Sequence, residues 1–200
     1  MKSYLHPPRK VTPIPPPVIS TPNFDNFVAL DLETTGLKRT EDIIEIAAIR
    51  VRDGKAVRRF DTLVRPRKYI PSLIEEITGI TNIMVANAPK IEDVMPDFLR
   101  FIGDDILLGH NIVSYDSKFI CREAALLGSQ IENQLFDTLT YAKKLKKITN
   151  LPESLSLSSL SDFFGISREN AHRAYDDTLA TVKVFYLLRS IEQRSVSKYP

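Results

Sequence analysis

Phe27-Val28-Ala29-Leu30-Asp31-Leu32-Glu33-Thr34-Thr35-Gly36 is the stretch around which the chain organises itself. Its first four residues are apolar and partly β-branched, the composition of a buried strand. That strand delivers two carboxylates where it runs out. Strand side chains alternate between faces, so Asp31 and Glu33 point the same way. Two like charges side by side repel, an arrangement that makes sense with a cation between them. Three readings stand open at this point. Asp, Thr and Gly are ordinary turn residues, so this is a solvated strand end on the plainest view. A calcium loop matches at Asp31, Glu33 and Gly36, but Arg39 and Asp42 occupy its ninth and twelfth positions and a strand leads in. The third reading is a catalytic metal site that handles phosphate.

Working outward, Ile43 to Arg52 and Lys55 to Val64 are apolar-rich runs joined by Asp53-Gly54, a strong hairpin signal. Three consecutive antiparallel strands are therefore expected. Pro71 to Gly79 reads as a short helix with Pro in its first turn and Gly past its end. Ile91, Val94, Met95, Phe98 and Leu99 have helical spacing, with Pro96 expected to kink or divide that helix. A short buried strand follows at Ile106 to Gly109, and Asp116 opens a helix with Phe119, Ile120, Ala124 and Leu127 inward. Phe136 ends a further strand, after which a helix runs into Lys147. Leu157, Leu160 and Phe164 mark another helix, closed by Gly165. The last runs from about Tyr175 to Arg189. The order β-β-β-α-α-β-α-β-α-α-α indicates an α/β protein with a mixed sheet, three antiparallel strands plus two more, flanked by helices.

Composition bounds what such a chain does. Two hundred residues suit one domain, and 43% hydrophobic with 26% charged residues is ordinary for a globular protein. The net charge of +2 gives no global basic field, so any nucleic-acid contact must be local. The Lys143-Lys144 and Lys146-Lys147 pairs could supply it, although a solvated helix face is the plainer reading. One cysteine, Cys121, excludes an internal disulfide framework and fits a cytoplasmic setting. No membrane span or signal-peptide core is evident. Residues 1–23 hold seven of thirteen prolines, an extended or disordered tail with a PxxP match at Pro13 to Pro16. The folded domain is expected over 24–190, with 191–200 as a polar C-terminal tail.

Acidic residues now stand out near the expected ends of elements: Asp31, Glu33, Asp116 and Asp176-Asp177, with His172 just ahead of the last helix. Singly, each has a mundane explanation; Asp116 would serve as a helix N-cap, and a lone histidine is commonly structural. Taken as a set they fit a site beyond the carboxyl ends of strands, where open α/β sheets place theirs.

The set also resembles a known family. Asp31-Leu32-Glu33-Thr34-Thr35-Gly36-Leu37, then Gly109-His110-Asn111 through Tyr115-Asp116, then His172-Arg173-Ala174-Tyr175-Asp176-Asp177-Thr178-Leu179-Ala180-Thr181 look like the three ordered motifs of the DnaQ-like, DEDDh 3′→5′ exonucleases. Polymerase proofreading subunits belong to that family. Ile70-Pro71 to Ile77-Thr78-Gly79-Ile80-Thr81 and Asp137-Thr138-Leu139 are similar to its connecting phrases. The resemblance covers roughly residues 25–190, and three motifs in order are far more specific than one. One departure is present: His110 and Asp116 are six apart, one more than in the commonest family pattern.

The resemblance implies an RNase H-like fold holding two Mg²⁺ or Mn²⁺ ions, hard cations that suit four carboxylates. It makes Asp31 the bridging ligand, with Glu33 and Asp177 completing the first ion's set and Asp116 supporting the second. Asp176 is passed over because the family's ligand falls five residues after the histidine. His172 becomes the general base that takes a proton from the attacking water. Thr34, Thr35, Gly36, Leu37 and Asn111 become contacts to the terminal nucleotide. The expected reaction is hydrolysis from the 3′ end of DNA, releasing nucleoside 5′-monophosphates, with single-stranded DNA ends favoured over RNA and a DNA polymerase as a proofreading partner. An RNA-processing exoribonuclease is the runner-up, and a silent nucleic-acid-binding module the third alternative.

Overall fold

A computed structural model of the protein describes residues 24–167 and 172–196. The expected tail over 1–23, with its PxxP match, and residues 197–200 lie outside the described residues. β1 (Phe27–Thr34), β2 (Ile43–Arg52) and β3 (Lys55–Leu63) form the antiparallel meander. Asp53 (φ 49°) and Gly54 (φ 74°) both take the left-handed conformation at its turn, as a tight hairpin of this hand requires. α1 (Ser72–Thr78), α2 (Asn82–Val85) and α3 (Ile91–Ile102) follow. Next come β4 (Leu107–Gly109), α4 (Asp116–Leu126), β5 (Leu135–Asp137), α5 (Thr138–Lys146), α6 (Leu157–Phe164) and α7 (Ala174–Val196). The strand order is β3-β2-β1-β4-β5, with β4 and β5 parallel to β1.

β1 therefore lies in the middle, and both of its faces are covered. Val28, Leu30 and Leu32 join a core that includes Met95 and Phe98 from α3 and Phe119 and Ile120 from α4. Phe27 and Ala29 face the other way, into a core with Val184, Phe185 and Leu188 of α7 and Leu145 of α5. Asp31 and Glu33 continue this second face, so α7 is the helix that runs over them. Phe185 meets Phe27 edge-to-face at a centroid distance of 5.4 Å. From Phe185 back to Asp177 is about 12 Å of helix, close to the ~13 Å of strand from Phe27 to Asp31. The packing of one aromatic pair thus brings the first turn of α7 to the carboxylate end of β1.

Three expectations need correction. Pro96 does not divide its helix: α3 is continuous, and because Pro96 is exposed, the backbone carbonyl it leaves unpaired can turn to water. Asn82–Val85 forms a short extra helix, capped by the Thr81 side chain accepting from the Met84 N–H at 3.3 Å. The last helix continues past Arg189 to Val196, so residues 191–196 are helix rather than tail. Its extension is anchored by Glu192, buried and accepting from the Tyr141 hydroxyl at 2.7 Å.

At the sheet's margins the two edges differ. β5 has three residues, while β3 presents nine, largely exposed, with Lys55, Arg58 and Arg59 along it. Among the described residues, no helix is long and apolar enough to cross a membrane.

Candidate active site

Asp31 and Glu33 leave the end of β1 on one face, and Asp177 arrives from the first turn of α7. Carboxylate oxygens of these three residues lie within 4.8 Å of one another. Asp176, the neighbour passed over, is not in this group. Asp116 opens α4 after parallel strand β4 and is only 3% exposed. It falls outside the 4.8 Å set but is near enough that its charge acts on Asp31.

The electrostatics follow from that crowding. Burial, and then the charges of Asp116, Glu33 and Asp177, push the Asp31 carboxyl well above the usual carboxylate range. Burial and the Asp177, Glu45 and Asp116 charges raise Glu33 to about 8, against a smaller opposing pull from Arg173. Asp116 is raised by burial to about 7, even though backbone hydrogen bonding at Asp116 and Leu32 pulls it down. A cluster of acids that resists ionising lacks positive charge. Its all-oxygen donor set fits hard divalent cations such as Mg²⁺ or Mn²⁺.

The loop between Gly109 and Asp116 absorbs the additional residue. Asn111 adopts a left-handed conformation (φ 68°), and Ile112 folds under the strand end into the core. A Cβ on Gly109 would come within 2.7 Å of the Ile112 side chain, so only glycine lets the loop fold back this closely. Asp137, at the end of β5, accepts from the backbone N–H groups of Asn111 (3.1 Å) and Val113 (3.3 Å) while capping α5. Tyr115 then reaches back to β1: its hydroxyl lies 2.5 Å from the Thr34 hydroxyl and donates to the Gly36 carbonyl at 3.2 Å. Asp137 and Tyr115 together hold the loop in register with the end of β1.

The expected nucleotide contacts divide. Thr34 and Thr35 are buried, and their hydroxyls are engaged within the loop: Thr34 donates to the Gly36 carbonyl, and Thr35 to Glu41 at 3.1 Å. Leu37 is 85% exposed, free of the core and available to meet a ligand. Asn111 is half-buried at the loop turn.

His172 stands exposed two residues ahead of α7, with left-handed backbone (φ 66°). Such a conformation costs a non-glycine residue about 1–2 kcal/mol. Among the described residues, three non-glycine positions have positive φ; one turns the hairpin, and Asn111 and His172 belong to the site motifs.

Sequence reasoning missed Glu45. It faces Glu33 across β1 and β2, is 1% exposed, and accepts from Arg173 and from the Ala174 backbone N–H. A lone carboxylate inside Ile43-Ile44-Glu45-Ile46-Ala47-Ala48-Ile49, a run too apolar for one-sided exposure, was the available signal.

Known proteins agree with this geometry. Residues 28–185 match the RNase_T exonuclease family. The chain is similar to a DNA polymerase III subunit epsilon of Aquifex aeolicus, 39% identical over 165 residues that cover 80% of this chain and 78% of that protein. It is also similar to a PolC-type DNA polymerase III of Caldanaerobacter subterraneus subsp. tengcongensis, 38% identical over 177 residues. That match covers 86% of this chain but only 12% of the much longer polymerase. Among solved structures, a zinc-bound E. coli ExoI–ssDNA complex superposes with a TM-score of 0.76 at 21% identity, covering 87% of this chain and 42% of that one. At that identity the likeness is one of fold. Sequence match, sheet topology and carboxylate cluster converge, and the chain belongs to the RNase_T exonuclease family.

Proposed function

We propose that the protein is a divalent-metal-dependent 3′→5′ exonuclease that shortens DNA from its 3′ end and releases nucleoside 5′-monophosphates. The carrying observation is the convergence of Asp31, Glu33 and Asp177 within 4.8 Å, with Asp116 acting on them from α4. Asp31, Glu33 and Asp177 would hold one ion, Asp31 would share a second, and Asp116, set further back, would support that one through water. Bound Mg²⁺ or Mn²⁺ would neutralise the cluster, acidify a water and stabilise charge on the leaving 3′ oxygen. His172, exposed at the approach to α7, is suited to take the proton from the attacking water as a general base. Gly36, Leu37 and Asn111 line the approach for a terminal nucleotide, while Thr34 and Thr35 shape it from beneath.

DNA is favoured over RNA because the relatives named above are DNA polymerase III chains, and in that setting a polymerase is the natural partner. Matched single-stranded DNA and RNA oligonucleotides, labelled at their 5′ ends and incubated with Mg²⁺, test the reading. Stepwise shortening of DNA from the 3′ end is expected, absent in Asp31→Ala. Cleavage inside a circular substrate would sink it, and faster loss of RNA would move the assignment to an exoribonuclease.

A further inference from the structure

Arg173 joins three parts of the candidate site. Its Nε lies 3.1 and 3.2 Å from the two Glu45 carboxylate oxygens, and its Nη2 donates to Oε1 at 2.5 Å. Its carbonyl accepts the first helical bond of α7, from the Asp177 N–H at 3.1 Å. Its backbone continues directly into His172 on one side and Ala174 on the other. Glu45 also takes the Ala174 N–H at 2.9 Å, one of the groups that a helix cannot satisfy from within. A single buried carboxylate on β2 therefore grips both the guanidinium and the first turn of α7.

That carboxylate is a poor choice if capping were its whole task. Ser, Thr, Asp or Asn at the helix start would cap α7 locally. Glu45 instead adds a like charge beside Glu33, its partner in register, and its field opposes ionisation of Asp31, Glu33 and Asp61. What it supplies is a fixed point on the same sheet that carries Asp31 and Glu33. His172 turns through a left-handed conformation immediately before this grip, so the direction of its side chain follows from where residues 173 and 174 are held.

We infer that Glu45 and Arg173 are positioning residues: their paired side chains on β2 and at the start of α7 set the direction in which the His172 side chain leaves the backbone ahead of α7, relative to the Asp31–Glu33–Asp177 cluster. The inference rests on the exonuclease reading given above. Glu45→Gln keeps an acceptor for the Ala174 N–H and removes the charge. Arg173→Lys keeps the charge and removes the planar fork.

Each variant is expected to lower kcat on a 5′-labelled oligonucleotide by about ten-fold or more, with KM changed by less than about two-fold. In a His172→Ala background, Glu45→Gln should change the rate by less than about two-fold, since the group it positions is gone. Two readings without turnover accompany this cycle. In metal-free protein, the His172 imidazole carbon–proton resonance should move in Glu45→Gln. By calorimetry, Mn²⁺ binding should be retained, because Asp31, Glu33 and Asp177 are all still present. Equal losses with and without His172, or an unmoved His172 resonance, overturn the inference while leaving an active parent as an exonuclease. A parent that shortens no oligonucleotide removes the exonuclease reading and this inference together. Should Glu45→Gln fail to fold, Arg173→Lys carries the same cycle.

Discussion

Two acidic clusters flank the end of β1, and they are built on opposite terms. On one side Asp31, Glu33, Asp116 and Asp177 crowd together with little positive charge among them, and the shifts of the first three run upward. On the other, Asp42 and Glu123 are bound by arginines. Arg67 donates to Asp42 at 3.1 Å and to Glu123 at 2.8 Å, and Arg122 donates to Glu123 at 2.5 Å and to the Glu41 carbonyl at 2.8 Å. Despite its burial, Glu123 is held below its ordinary value by hydrogen bonds and charge from these arginines, and Arg67 is raised by the same bonds. Both clusters contain carboxylates buried to a similar degree, Asp116 and Asp177 in one and Asp42 and Glu123 in the other; the supply of cations differs. The second cluster is a finished strap that ties the loop over residues 36–42 to α4. The first is left with its acids facing one another and little positive charge to offset them, the arrangement on which the proposed metal site rests.

Replacing one member of each cluster should separate them most sharply. Asp31→Asn removes a repelled charge and a ligand together. We expect exonuclease activity to fall by at least about 10³-fold, because the stabilisation supplied by bound ions amounts to several kcal/mol. The same variant should melt about 2–4 °C higher than the parent in chelator, since about 1 kcal/mol of repulsion is relieved. A lower melting temperature in chelator would break the comparison.

Glu123→Ala should act in the other direction. It leaves Arg67 and Arg122 without their buried partner and should destabilise the protein by about 2 kcal/mol in urea titration. That is less than for a pair sealed from water, because Arg67 is about half exposed. Activity per folded molecule should be lowered only modestly, through loosening of the loop after Gly36.

A subtler distinction is expected in pH dependence. Glu33 and Asp116 have folded values above their unfolded ones, so they favour the fold while protonated. That contribution is complete below about pH 4 and is lost as pH rises through about 7 to 8. Glu123, held low, contributes above its unfolded value and loses that contribution as pH falls through its folded one. Melting in chelator should therefore decline from about pH 5.5 to 8.5, and the rise in melting temperature on adding Mg²⁺ should grow over the same interval. A Mg²⁺ increment independent of pH would show that protons and metal do not compete at these carboxylates.

Much of this was legible in the sequence because the signals are local. Period-two alternation put Asp31 and Glu33 on one face and Asp53-Gly54 turned the hairpin, while the family resemblance, in which the ligand falls five residues after the histidine, pointed to Asp177, the member of the Asp176-Asp177 pair that lies with Asp31 and Glu33. Glu45 and Asp137 were harder for a shared reason. Each works by accepting backbone N–H groups from a distant segment, and nothing in the sequence beside them says which segment will arrive. Pro96 misled because proline's effect on a helix depends on whether the carbonyl it abandons faces the core or water, and that is decided by tertiary placement.

The long outer strand β3 has a consequence for how copies of this chain meet. Among the described residues no strand pairs with its outer side, so the row of backbone groups there is a template on which another strand could add and a sheet could grow from molecule to molecule. Lys55, Arg58 and Arg59 stand along that row, and a second copy arriving edge to edge would bring the same cations against them. At the far margin β5 is three residues long, too short to template much. Both margins are thereby discouraged from β-pairing between copies, so the sheet that carries the carboxylates is terminated by charge at one side and by brevity at the other.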